Sequence, residues 1–248
     1  LSLITFLFLA NTTLALAAPL ESCQEFTKYG IPGTGGDLLC RKGYLLAHDP
    51  RCLTPKWVAE HLTKEKAGGT LKRKNSFRPD PDLPVGKRAE LSDFKGSGYD
   101  RGHMAPSADF AYDAQAMKES YYLSNMVPQN PNMNQHIWKG LEEKVRQWAM
   151  DRGELYIYTG PIYREDEIKT IGDNQVCIPT HIYKIVFDPR NVEAIAFIMP
   201  NEPLEPSEMG NYIATIRDVE KQTGLDFLKR LKNSVEDAVE TEKAEDLW

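Results

Sequence analysis

The feature that most constrains this chain is an amphipathic stretch that starts near Asn134, closes at Asp151-Arg152-Gly153, and leads straight into a series of strand-like runs. Ile137, Trp138, Leu141, Val145, Trp148 and Ala149 recur at three- and four-residue intervals and make one apolar face, with Glu142, Glu143 and Arg146 on the other. Such a face must be buried against a second layer. The runs 155–159, 182–187 and 192–198 supply one, because their β-branched and aromatic content predicts strands, with Asp188-Pro189-Arg190-Asn191 as the turn joining the last two. The expected fold class is therefore α+β, an antiparallel β-sheet core flanked by helices.

Around this centre the chain is less regular. Residues 21–55 are rich in Gly, Pro and Cys, and predict an irregular cover with one short strand at 44–47. Thr54-Pro55 followed by Trp57, Val58, His61 and Leu62 predicts a short helix with a Thr cap and Pro at its first position. Lys72, Arg73 and Lys74 form a small basic cluster ahead of Phe77-Arg78-Pro79-Asp80-Pro81, where the prolines forbid regular structure. A second amphipathic helix is expected to start at Ser207, run through Tyr212, Ile213, Ile216 and Val219, and stop at Thr223-Gly224. The charged residues 236–246 predict a solvated end.

Residues 1–9 are nearly all apolar and 11–18 are small and uncharged, with a small-x-small ending at Ala15-Leu16-Ala17, the pattern of a signal peptide over 1–17 that leaves one domain over 18–248. Export, with no membrane anchor in the mature form, is the resulting expectation. The four cysteines, Cys23, Cys40, Cys52 and Cys177, then favour disulfides over free thiols, with three pairings open, one of them Cys40–Cys52 with Cys23–Cys177. The net charge of −6 argues against a tight storage or regulatory binder of nucleic acid, which needs a basic face to replace counterions. It does not exclude an enzyme that needs cations only at the scissile phosphate.

Two polar clusters carry chemistry. In Gly98-Tyr99-Asp100-Arg101-Gly102-His103 an acid, a guanidinium and an imidazole crowd into four residues. Histidine is largely neutral at pH 7 to 8 and can accept a proton from water, while Arg can grip phosphate with two donors. The bland alternative is a surface turn with an Asp–Arg ion pair. In Ser124 to Gln135, four Asn and two Gln occupy twelve residues directly before the amphipathic stretch. Asn130 and Asn132 read as turn and cap residues, whereas the Asn134 amide oxygen suits a hard cation that keeps most of its waters.

Asp100-Arg101-Gly102-His103, then Asn125-x-x-Pro128-Gln129 and Asn134-Gln135-x-x-Trp138-x-x-Leu141-Glu142, with Arg146 one turn on, resembles the DNA/RNA non-specific endonuclease family of the ββα-metal class. Within it, the sequence looks most like the secreted nucleases of cyanobacteria. The resemblance implies His103 as general base, Asn134 as the direct ligand of magnesium or manganese, and Glu142 acting through water, since eight helical residues rise about 12 Å. It implies an upstream arginine opposing charge in the transition state, for which Arg73 is the choice beside Lys72, Lys74 and Arg78. Arg146 is expected to contact phosphate or to pair with Glu142 at i,i+4. Asp100 is expected to orient the site, Arg101 to serve substrate or fold, and Asn125 to position the loop or bind substrate. DNA and RNA are the implied substrates, and a cognate protein inhibitor a possible partner. Two alternatives stand beside this: a phosphodiesterase of narrower range, and a catalytically silent binding domain. His48, His61, His136 and His181 read as structural.

Overall fold

The computed structural model describes residues 22–164 and 168–248; the leader pattern at 1–17 lies outside them. Its centre is a seven-stranded antiparallel sheet in the order β1 (Asp37–Cys40), β2 (Tyr44–Asp49), β3 (Thr54–Thr63), β6 (Glu154–Ile162), β9 (His181–Asp188), β10 (Glu193–Pro200) and β11 (Ile213–Ala214). The remaining strands form two small pairs, β4 (Asp100–His103) with β5 (Met126–Gln129) and β7 (Thr170–Ile171) with β8 (Val176–Cys177).

Both faces of the large sheet are covered, and the period of two along each strand sorts its side chains between them. Val58 and Leu62 of β3, Ile157 of β6, and Ile182 and Val186 of β9 pack with Ile137, Trp138, Leu141, Val145 and Trp148. Trp57 and Ala59, Tyr156 and Tyr158, and Tyr183, Ile185 and Phe187 point the other way, onto Phe26, Ile216, Val219 and Phe227. Strands buried on both sides read as near-continuous apolar runs, which is why 182–187 was legible as a strand without polar alternation. The β9–β10 hairpin turns where predicted, and Asp188 Oδ1 accepts from the backbone N–H of Arg190 and Asn191.

Thr54-Pro55 opens the ten-residue strand β3, not a helix. Pro55 stands opposite His48 at a register shift, and β3 pairs with β6 only from Val58 onward, so the missing N–H of Pro55 costs no ladder bond. The 21–55 segment holds β1 and the six-residue β2, more strand than expected. The helix expected from Ser207 is broken. A 3₁₀ turn, Pro206–Tyr212, gives way to β11, whose Ile213 pairs with Phe197 at the sheet edge. The helix proper restarts at Ile216–Thr223, with a Thr215/Asp218 capping box and Gly224 left-handed at φ 68°. The charged end is folded too: Asn233–Thr241 is helical and buries Val239, and the Trp148 indole N–H donates to the Trp248 carbonyl at 2.6 Å.

The disulfides join Cys23 to Cys40 and Cys52 to Cys177, leaving the Cys40–Cys52 alternative unformed. Cys177 lies in β8, whose backbone N–H also donates to the Cys52 carbonyl, so the second bridge ties the β2–β3 turn to the small β7–β8 pair. A cross-link over 125 residues strongly restricts the unfolded chain. Replacing Cys52 and Cys177 together by Ser is expected to lower unfolding stability by about 4 kcal/mol in urea titrations; an unchanged midpoint would refute that contribution.

Candidate functional site

Strands β4 and β5 and the helical run after them form one compact unit. Asp100 pairs with Gln129 and His103 with Met126. Gly102 is required by close approach, because a Cβ there would overlap the fully buried Gln129 side chain. After β5, the Asn130 side chain accepts from the N–H groups of Asn132 and Met133, and Pro131 begins the helical run. That run is not a uniform α-helix. Pro131–Met133 leads into a π-helical turn, Asn134–Trp138, before the α-helix Lys139–Arg152 ends at Gly153 with φ 96°. The wider turn falls at the predicted ligand, and such turns recur at functional positions.

The unit lines a cleft of about 640 Å³ that brings together Arg73, Asp100, Arg101, His103, Asn134, Glu142 and Arg146. Asp100 Oδ2 accepts from the amides of Asn134 and Gln135, each at 2.8 Å. With its NH₂ group so held, Asn134 has its amide oxygen left over, and among the described residues no hydrogen bond engages that oxygen. His103 sits at the end of β4 between Phe77 and Tyr121, 5.5 and 5.1 Å between ring centroids. Its Nε2 is shut away from solvent without a partner among the described residues, which leaves Nδ1 as the nitrogen for the cleft. Burial, followed by the charges of Arg73 and Arg101, pushes the imidazole down to about 3, which keeps it neutral at physiological pH. Glu142 lies partly buried in the same cleft, and desolvation, opposed by Lys184, raises its carboxyl to about 7.

Of the four basic residues at 72–78, Arg73 alone lines the cleft. Its Nε donates to the Tyr121 hydroxyl at 2.8 Å, whereas Arg78 turns away to the Ser76 and Lys118 carbonyls. Arg101 lies 4.4 Å over the Phe77 ring. Asn125 is fully buried, exchanging hydrogen bonds with the backbone of Ala105 and donating to Ser120, so it holds the loop after His103, the first of the two roles expected of it, and it lines no part of the cleft. One expectation is corrected. Arg146 does not pair with Glu142; it donates to Asp109 at 2.8 Å.

Asp109 was missed by sequence reading. It is 1% exposed, in a 3₁₀ turn six residues beyond His103, and it heads a buried polar island beneath the cleft. Lys184 of β9 donates to Thr159 of β6 at 2.7 Å, and Glu60 of β3 is buried with both carboxylate oxygens lacking partners, its carboxyl pushed well up by burial and then by Asp109. A lone Lys in the apolar run 182–187 was the available signal for this island. Asp109→Ala is expected to lower stability by about 3 kcal/mol, because Arg146 is left without its buried counter-charge. Urea denaturation of Asp109→Ala, Arg146→Leu and the double variant checks this, and a fully additive cycle would sink the coupling.

Residues 22–234 match the family described as DNA/RNA non-specific endonuclease. The chain is 36% identical over 234 residues to the mitochondrial nuclease EXOG of Xenopus laevis, covering 88% of this chain and 65% of that one. It is 33% identical over 221 residues to human mitochondrial endonuclease G, covering 84% and 74%. A crystal structure described as the EndoG/EndoGI complex superposes with a TM-score of 0.80 at 30% identity, covering 86% of this chain and 93% of that one. The chain thus spans just under two thirds of the length of the frog relative. Both sequence relatives are vertebrate and named as mitochondrial, not cyanobacterial, which overturns the expectation of a secreted protein.

Proposed function

This chain belongs to the DNA/RNA non-specific endonuclease family, and from that premise we propose that it hydrolyses phosphodiester bonds in both DNA and RNA with little sequence preference. The observation that carries the reading is the convergence, in one cleft, of a neutral imidazole, three arginines, an oriented amide and a carboxyl. The donor set fits a hard divalent cation, magnesium or manganese: the Asn134 amide oxygen would hold it directly and Glu142 through water. When bound, the cation neutralises charge at the scissile phosphate and on the leaving oxygen.

The geometry supports the following roles for the protein's own residues. His103 Nδ1 takes a proton from the attacking water, a role that needs the neutral ring its burial enforces. Arg73, held by Tyr121, opposes the negative charge that grows on the phosphoryl oxygens, and Arg101 and Arg146, which line the same cleft, help to anchor the phosphate. Asp100 is a positioning residue, fixing the face that Asn134 offers. Because water is the nucleophile, cleaved RNA is expected to carry no 2′,3′-cyclic phosphate. A protein inhibitor is a proposed partner, by analogy with the EndoG/EndoGI complex.

Cleavage of supercoiled plasmid and of a folded RNA, with magnesium or manganese titrated against EDTA, tests the reading, and no cutting of either substrate by the wild-type chain would end it. His103→Ala is expected to lose several orders of magnitude in rate with the fold intact, and Asn134→Ala to lose rate and cation dependence together; near-normal activity in either refutes its role. Cation binding should also depend on pH through Glu142. Its raised carboxyl is protonated below about 7 and must lose that proton to help hold the ion, so manganese affinity should fall about tenfold per pH unit below that point. Calorimetry at pH 5.5 and 8 reads this directly, with Glu142→Gln expected to be flat.

A further inference from the structure

The basic run at 72–74 is only partly used by the cleft. Arg73 faces the catalytic side, while Lys72 and Lys74 line a second depression of about 310 Å³ together with Leu71, Ala114, Met117 and Lys118. The two hollows share the segment around Arg73 as a common wall. Leu71 is pinned there by its backbone N–H donating to the Ala111 carbonyl at 2.9 Å, yet its side chain is 44% exposed. Among the described residues no carboxylate pairs with Lys72, Lys74 or Lys118. The acids nearest in sequence to Lys118 are committed elsewhere: Asp113 caps the helix Ala114–Ser120 and pairs with Lys42, and Glu119 accepts from the Lys42 backbone N–H and from Gln115.

Three unneutralised cations around an apolar floor stand out on a chain of net charge −6. Phosphate alone would need the cations and not the floor; an apolar ligand alone would need the floor and not the cations. An unpaired nucleic-acid strand offers both, phosphates to the ammonium groups and a base or sugar face to Leu71 and Met117. Consecutive Cα atoms are 3.8 Å apart, so this hollow lies within a few nucleotides of any phosphate held at Arg73.

We infer that Leu71, Lys72, Lys74, Met117 and Lys118 form a flanking subsite that grips a single strand a few nucleotides from the scissile bond. The inference rests on the nuclease reading of the neighbouring cleft. It makes unpaired or locally opened strands the better-held substrates and gives the enzyme an affinity handle separate from its chemistry.

The test uses the full chain with Lys118→Gln, with Lys72, Lys74 and Lys118 all changed to Gln, and with Leu71→Ser. Oligothymidylate and a duplex of equal length are the probes, and binding is read by fluorescence anisotropy across a salt series in a His103→Ala background. The triple variant is expected to bind the single strand at least tenfold more weakly, with a salt slope shallower by about 2, the loss expected for three phosphate contacts on a single strand. Leu71→Ser is expected to weaken the single strand and leave the duplex unchanged. In otherwise wild-type protein, all variants should raise KM on the oligonucleotide while keeping kcat on a small chromogenic phosphodiester within twofold. Unchanged single-strand affinity and salt slope in the triple variant would overturn the subsite, as would equal losses for single strand and duplex in Leu71→Ser. Failure of the nuclease reading would look different: the wild-type chain would cut neither substrate, whatever the lysines do to binding.

Discussion

The arrangement of the cleft depends on the contact between Asp109 and Arg146. Asp109 belongs to the turn that follows the His103 strand, and Arg146 to the helix that carries Glu142. Their pairing is the charged seam between the two halves of the site. A buried carboxylate and a largely buried guanidinium each bear a desolvation cost that the other is the main group to offset, so a drift of either half weakens the compensation. Below them Lys184 and Glu60 extend the polar island onto the seven-stranded sheet, so the helix and turn that meet at the seam are backed by that layer.

On that base, a small set of hydrogen bonds turns a common supersecondary unit into a site. Asn125 fixes the backbone after His103, Asp100 fixes the amide of Asn134, and Tyr121 receives Arg73. These contacts fix the direction of the groups they hold, and fixed dipoles are where electrostatic stabilisation of a developing charge derives its advantage over water.

What could be read from the sequence divides along physical lines. The apolar face from Ile137 to Ala149 and the runs around 155, 182 and 192 declared themselves because their periodicity is local. The polar motifs around His103 and Asn134 did so because their residue types are costly without a use. Thr54-Pro55 misled because the same dipeptide suits a helix start and a strand start, and the arbiters are the partner strands, β2 opposite Thr54 and Pro55 themselves and the distant β6 from Val58 onward. The helix expected from Ser207 failed for a related reason, since the edge of β10 captures Ile213. Asp109 escaped because a lone acid near a motif has no signature until its Arg is folded against it, and the cysteine pairing escaped because spacing does not carry spatial proximity. The secreted reading came from a short leader-like pattern, which does not by itself carry a destination, and it is the relatives named as mitochondrial that overturn it.

The π-helical turn at Asn134–Trp138 has a consequence for how this region can vary in length. Each residue of a helix turns it by about 100°, so regularising the wide turn by deleting one residue would swing Asn134 away from Asp100 while leaving Glu142 and Arg146 where they are. The apolar positions Leu141, Val145 and Trp148 would still face the sheet, whereas Ile137 and Trp138, which lie in the turn and in the same core, would turn with Asn134. The wide turn thus sets two things at once along one continuous helical run, the seating of Trp138 and the aim of the Asn134 amide, so idealising this helix would disturb both.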